Sequence, residues 1–215
     1  MSKVKLDISM SLDGFVAGPD PTLEDPLGKG GEQLHEWIVG LASWREPHGQ
    51  AGGERNADDD LVREGRESTG AVIMGRRMFS GGSGPWEDDP KADGWWGDEP
   101  PFHAPVFILT HHERETVPKE GGTSFNFVTG GIESALEQAR TEAGDKDVLI
   151  AGGAEAAQQY LKAGLLDEIQ LHVAPVLLGG GTRLFDTLGP DDAKLELTDA
   201  VESLSVTHIR YRVLS

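Results

Sequence analysis

Three short stretches of the chain join an apolar run to residues that suit an anionic ligand. In Leu149–Ala157, LIAGGAEAA, the run stops at Gly152 and Gly153, and an alanine-rich, helix-forming segment begins with Ala154. A strand handing over to a helix there presents unpaired N–H groups and the positive end of the helix dipole, which suits a phosphate. A phosphate reaches that backbone only where no Cβ stands in the way, and the two glycines give the clearance. A tight turn or close strand–helix packing asks for the same residues, because the full G-x-G-x-x-G spacing is not present. In VIMGRRMF, an apolar strand ends at Gly75 and is followed by Arg76, Arg77 and Met78. Adjacent arginines hold an anion or pair with surface acids. In FILTHH, Leu109 leads to Thr110, His111 and His112 at a third strand end. Three strand ends of this kind point to a phosphorylated cofactor with more than one phosphate.

The formal net charge is −18 over 215 residues, which makes any local basic cluster more informative. It argues against nucleic acid as a partner, since phosphate backbones are met by Lys/Arg-rich surfaces. There is no cysteine. Disulfides, thiolate nucleophiles and iron–sulfur clusters are therefore excluded, and a cytoplasmic location is expected. No apolar run approaches the roughly 20 residues of a membrane span, so no membrane partner is expected. The N-terminal MSKVKLDISMS alternates and lacks the apolar block of a signal peptide. The histidines show no metal-ligand spacing.

The elements that must position these residues follow from periodicity. Val4, Leu6, Ile8 and Met10 alternate with Lys5, Asp7 and Ser9, which predicts a strand with one polar face. SLDGFVAGPD after it reads as a loop. Leu34, Trp37, Ile38 and Leu41 recur at helical spacing and predict an amphipathic helix over 32–44. Asn56 is an N-cap candidate for a helix over 57–67. Short apolar strands are expected at 71–74, 105–110, 125–129 and 147–151, with helices over 132–143 and 154–163. DEIQLHVAPVLLG and LSVTHIRYRVL alternate, and both are predicted to be antiparallel additions at one sheet edge. His172 and His208 alternate with apolar residues there, which suits a structural place. Residues 80–104 form a long irregular loop holding Trp86, Trp95, Trp96 and Phe102. These rings either wall an aromatic substrate's pocket or bury against the body or a second subunit. Strand and helix in alternation imply one α/β domain over 1–215, with helices on both faces of a mostly parallel sheet.

SLDGFVAGPD, VIMGRRMF, LIAGGAEAAQQYL and AGLLDEIQLHVAPVLLGGGTRLF occur in this order across nearly the whole chain. By them the chain resembles the dihydrofolate reductase superfamily, most of all the reductase domain of bacterial bifunctional riboflavin-biosynthesis proteins. The resemblance implies a dihydrofolate reductase-like three-layer α/β/α sandwich with a mixed, mostly parallel sheet and antiparallel C-terminal edge strands. It implies NADPH as hydride donor, a homodimer, and a small-molecule substrate that is heteroaromatic (pterin- or pyrimidine-like) or a carbonyl compound. Gly75, Arg76, Arg77 and Met78 match the family's phosphate-meeting helix start. Leu109, Thr110 and His111 match the segment at the adenosine ribose and 2′-phosphate. Gly152, Gly153 and Ala154 match the turn under the pyrophosphate, and Val16 and Ala17 the segment beside the nicotinamide.

Hydride transfer to C=N or C=O calls for a polarising acid or a positioned water. Asp13 is the first candidate for that catalytic role, and an Asp-Gly turn explains it equally well. Asp13, Trp37, Phe79 and Trp86 are candidates for the substrate side. Glu32 and Glu36 stand near the family's helix carboxylate without matching it. Ala151 stands where riboflavin-pathway reductases commonly carry Glu. The His/Cys zinc motif of the deaminase partner domain is absent, so a reductase-like domain on its own is expected. Two further readings stay open at this point: a non-catalytic nucleotide-binding module, and a scaffold using the Trp-rich loop as contact surface.

Overall fold

The computed structural model describes residues 2–189 and 192–214. The alternating N-terminal segment is strand β1 (Val4–Ser11), followed by the short β2 (Phe15–Ala17). The helical period over 32–44 is met by separate turns: a 3-10 turn at Gly31–His35, α1 (Glu36–Val39) and α2 (Ala42–Arg45). The break falls at Leu41, which is extended at φ −78°, ψ 149°, and Ala42 N donates to Glu54 O at 2.9 Å. Competing backbone pairing thus interrupts the helix, yet Leu34, Trp37 and Leu41 are still buried as their spacing requires. α3 (Ala57–Ser68) begins at Asn56, whose side chain accepts from Asp59 N.

The chain then alternates. β3 (Thr69–Gly75) and α4 (Arg76–Ser80) lead through the long loop to β4 (Pro105–Leu109). β5 (Val117–Pro118), β6 (Ser124–Val128), α5 (Gly131–Ala143), β7 (Asp147–Gly152) and α6 (Ala154–Lys162) follow. The chain continues through β8 (Glu168–Ala174), β9 (Thr182–Arg183), β10 (Lys194–Glu202) and β11 (Thr207–Leu214).

Among the described residues, nine strands make one sheet in the order β10-β11-β8-β1-β7-β3-β4-β6-β5. The run from β8 to β6 is parallel, and β11, β10 and β5 are antiparallel to their neighbours. β2 and β9 form a separate ribbon. One expectation is corrected here. β8 is an interior strand parallel to β1, because α6 returns the chain to the sheet's starting edge before β8 enters. The antiparallel edge is β11 with β10, a strand not foreseen because its residues are exposed on both faces.

One face of the sheet is apolar throughout. Leu6, Ile73, Phe107, Ile150 and Ile169 pack there under α5 and α6, with Leu136 and Tyr160 fully or nearly enclosed. The other face is capped twice. Over β3, β4 and β6, Val72, Met74, Ile108 and Phe125 take Phe79, Trp86, Trp96 and Phe102. The aromatic loop therefore packs on the body, with Trp86 and Phe127 centroids 4.8 Å apart and edge-on. Over β8 and β11, Trp37, Leu41 and Val206 form a smaller cluster. Between the caps, β1 and β7 carry Asp7 and Ala151, both partly exposed. Helices thus lie on both faces, as predicted. No helix among the described residues is long and apolar enough to cross a membrane.

Candidate functional site

β7, β3 and β4 are adjacent and parallel, so their carboxyl ends lie side by side. This edge brings together the three anion-suited stretches: Gly152–Gly153 after β7, Gly75–Arg76 after β3, and Thr110–His111 after β4. The first two adjoin closely. A Cβ on Gly75 would stand 3.7 Å from Gly153 N and 3.8 Å from Gly152 O. Gly152 sits at φ +119°, where an L side chain is strained, and a Cβ there would meet Met78 Sδ at 3.5 Å. The Gly152–Gly153 peptide is cis. Gly153 is the N-cap of α6, has no side chain to satisfy the helix's first N–H groups, and would point a Cβ into open space. An approaching phosphate thus finds free donors and a clear path.

The two arginines take opposite places. Arg76 is 7% exposed and pairs with Asp89, which also accepts from Ser80 Oγ at 2.8 Å. Its guanidinium lies 3.5 Å over the Trp86 ring, and its Nε and Nη1 are buried without a protein partner. Burial pushes its pKa down, against the opposing pull of Asp89. Arg77 is exposed and 3.9 Å from Glu155. Leu109 ends β4, and Thr110 is buried with its hydroxyl oxygen accepting from His112 N at 3.1 Å. His111 is exposed. Trp86 donates its indole N–H to His112 O at 2.9 Å, tying the aromatic loop to this edge.

Asp13 is a latch between two loops. Its carboxylate accepts from Ser11 Oγ at 2.7 Å, Leu178 N at 3.1 Å and Gly179 N at 2.8 Å. The Ser11 hydroxyl, then these backbone donors, lower its pKa to about 2. Val16 packs against the main core, and Ala17 pairs with Thr182 of β9. Gly181 stands at φ +117°, where a Cβ would collide with Ala17 O at 2.1 Å.

On the expected substrate side, one assignment is corrected. Phe79 is fully buried, edge-on to Phe125 at 4.9 Å, and props the site from beneath without facing a cleft. Trp86 is partly buried. Trp37 is buried and donates its indole N–H to Ser9 Oγ at 3.1 Å. Glu32 is exposed on the Gly31–His35 turn, and Glu36 opens α1. Trp37 leads to residues that sequence reasoning placed as merely structural. Its ring lies 4.6 Å from His172 and 5.1 Å from His208. Those two imidazoles touch each other and two aspartates, Asp7 and Asp58. Alternation alone showed each histidine on a polar strand face. Only the antiparallel register, His208 opposite His172, brings them together.

The fold has counterparts among known proteins. A family model for the RibD C-terminal domain matches residues 2–209. The chain belongs to the RibD C-terminal domain family. It is 26% identical over 184 residues to the riboflavin biosynthesis protein RibD of Corynebacterium ammoniagenes, covering 83% of this chain and 44% of that one. It is 23% identical over 190 residues to the uncharacterised protein YyaP of Bacillus subtilis, covering 85% and 80%. Among solved structures, a protein of Shewanella sp. PV-4 provisionally named for riboflavin biosynthesis superposes with a TM-score of 0.63 at 23% identity, covering 99% of both chains. The diaminohydroxyphosphoribosylaminopyrimidine deaminase/5-amino-6-(5-phosphoribosylamino)uracil reductase of Thermotoga maritima gives 0.53 at 15% identity, covering 99% of this chain and 57% of its own. These likenesses establish the fold as that of the RibD-type, dihydrofolate reductase-like proteins. The chain spans less than half the length of the Corynebacterium protein.

Proposed function

We propose that this RibD C-terminal domain is an NADPH-dependent reductase of a small heteroaromatic (pterin- or pyrimidine-like) or carbonyl substrate. The observation that carries the reading is the shared edge of β7, β3 and β4, with an open glycine cradle at the N-terminus of α6. The residues present suit the cofactor. A side chain at Gly153 would fill the space a phosphate needs, and buried Arg76 holds unpartnered N–H groups. Gly152, Gly153 and Ala154 would hold the pyrophosphate, with Gly75, Arg76, Arg77 and Met78 beside them. Leu109, Thr110 and His111 would take the adenosine end, and Val16 and Ala17 would border the nicotinamide. Bound NADPH supplies a hydride.

The chain's own residues orient and enclose. Asp13, held near pKa 2 by its hydrogen bonds, stays ionised at working pH and positions the loop at Leu178–Gly179. It is a poor proton donor, so the acid lies elsewhere. The reading puts a flat substrate over β1 and β7, between the cap that holds Trp37 and the cap that holds Trp86. The family relation supports a substrate such as the 5-amino-6-(5-phosphoribosylamino)uracil of the Thermotoga relative's name. We also propose the homodimer that the resemblance implies, read by sedimentation equilibrium.

The test is a fluorescence titration with NADPH and NADH on wild type and Gly153→Val. Gly153 has φ −70°, which an L residue accepts, and loss of the N-cap glycine should cost about 1 kcal/mol, so the variant's melt is recorded beside wild type to show that it is folded. NADPH binding weakened at least tenfold in a folded variant supports the reading. Absence of NADPH binding by wild type overturns it.

A further inference from the structure

Four side chains form one continuous hydrogen-bonded line across β1, β8, β11 and α3. Asp7 Oδ1 lies 2.7 Å from His172 Nε2, His172 Nδ1 lies 2.5 Å from His208 Nδ1, and His208 Nε2 lies 3.0 Å from Asp58 Oδ1. Both imidazoles and Asp58 are buried, at 6%, 1% and 5% exposure. Asp7 is open, with 38% of its side chain exposed. Three contacts between these groups need three protons, because an ionised carboxylate only accepts and two imidazole lone pairs at 2.5 Å repel. Two neutral imidazoles carry two. With both carboxylates ionised, the pair holds one proton more than two neutral imidazoles and is a shared imidazolium.

Burial pushes the His208 pKa down. The Trp37 face lies against His172 at 4.6 Å, an arrangement that favours a cation. His172 also touches Asp7, the carboxylate nearer water. The ionisable groups around the pair are Asp7 and Lys5 on β1, His35 on the turn before α1, Asp58 on α3, Glu168 on β8 and Arg210 on β11. Lys5, Glu168 and Arg210 are occupied with one another and with Asp147. His35 is held towards neutrality by burial.

The open end of the line sits in the candidate site. Leu6 pairs with Ile150, so Asp7 stands one step further along β1, beside Ala151 and the Gly152–Gly153 turn. Gly65 of α3 leaves it uncovered: a Cβ there would be 3.8 Å from Asp7 Oδ2.

We propose that Asp7, fed by the His172–His208 imidazolium, is the proton donor to a substrate lying over β1 and β7. This rests on the reductase reading. As the substrate's C=N or C=O carbon receives hydride from a reduced nicotinamide, the His172 Nε2–H bond breaks and its proton passes through the Asp7 carboxyl. A new N–H or O–H bond forms on the substrate. The pair is left neutral with two protons, and water restores the third at Asp7. Asp7 is the catalytic residue; His172, His208 and Asp58 are positioning residues that store the proton.

The test has two arms. The first needs no substrate: histidine-selective 15N–1H NMR of wild type at neutral pH, with Asp7→Asn and His208→Gln. Three ring N–H protons for His172 and His208 in wild type, and two in Asp7→Asn, support the proposal. Two in wild type overturn it. The second arm follows NADPH consumption with 5-amino-6-(5-phosphoribosylamino)uracil and with 7,8-dihydrofolate as probes. In Asp7→Asn, kcat should fall on the order of 100-fold with NADPH affinity unchanged. In His208→Gln, the alkaline limb of the pH–kcat profile should move to lower pH. Unchanged kcat in Asp7→Asn, or no turnover of either probe by NADPH-saturated wild type, overturns the donor role. Failure of NADPH to bind wild type instead overturns the reductase reading and the donor role with it, while the NMR arm still reports the proton count.

Discussion

Asp13 and Tyr160 show how single groups report on their surroundings. Asp13 clips the β1–β2 turn to residues 178–179, and its pKa is lowered to about 2. Because the folded value lies below the ordinary 3.8, its contribution is fully present above about pH 4 and is lost as pH falls through about 2. Asp13→Ala should therefore melt below wild type by a constant interval from pH 5 to 8, and the interval should shrink below pH 4 in a thermal-melt series. An interval that does not change with pH would place the effect in packing. Tyr160 is fully buried and donates to Ile132 O at 2.7 Å across the α5–α6 contact, and burial pushes its pKa up. Tyr160→Phe removes that bond and should cost about 1 kcal/mol in urea unfolding, with no change in nucleotide binding. The glycines and arginines of the site were legible as residues because backbone clearance and charge are properties of residue type. The His172–Asp7 and His208–Asp58 contacts were not, because each spans more than a hundred residues of chain.

At the scale of elements, α3 carries two opposed choices. Asn56 caps it, accepting from Asp59 N at 3.0 Å, and Asp58, the second residue of the helix, holds His208. Asn56→Ala should destabilise by about 1 kcal/mol and loosen the histidine pair, visible as faster exchange of its ring protons. Gly65, inside the same helix, costs about 1 kcal/mol relative to alanine. Its conformation is ordinary, and a Cβ would meet only Asp7 Oδ2 at 3.8 Å. Gly65→Ala should stabilise the fold by about 0.5–1 kcal/mol in the same urea experiment, at the expense of access to Asp7. Strands and helices with one clear period were read well, as at β1, α5 and α6. The helix over 32–44 was not, because its interruption comes from pairing with Glu54, a partner outside the window. Likewise β8 shows alternation whether it lies parallel inside the sheet or antiparallel at its edge. Its place follows from the crossover through α6, which is a property of chain direction.

For the whole molecule the dominant fact is charge. With 37 acids and 19 Lys and Arg, even complete pairing leaves 18 acids without a partner, since 37 − 19 = 18. Pairs such as Lys29–Asp20, Arg55–Glu46 and Arg212–Glu196 are exposed on both sides, so each contributes little. Salt weakens these pairs and the repulsion among the unpaired acids together. The two differ in range. Ion pairs act at contact, where screening is incomplete, whereas repulsion between acids across the surface acts over distances that a Debye length of about 30 Å at 0.01 M transmits and one of about 8 Å at 0.15 M does not. Repulsion therefore loses more than attraction, and the folded state gains. Raising NaCl from about 0.01 to 0.15 M should lift the melting temperature by a few degrees, a gain of about 1 kcal/mol for a chain of this size. The same field opposes any polyphosphate that approaches the β7–β3–β4 edge. NADPH should accordingly associate faster in stopped-flow at 0.15 M than at 0.01 M NaCl. A rate that falls with salt would mean that Arg76, Arg77 and His111 set the local potential against the molecule's net charge.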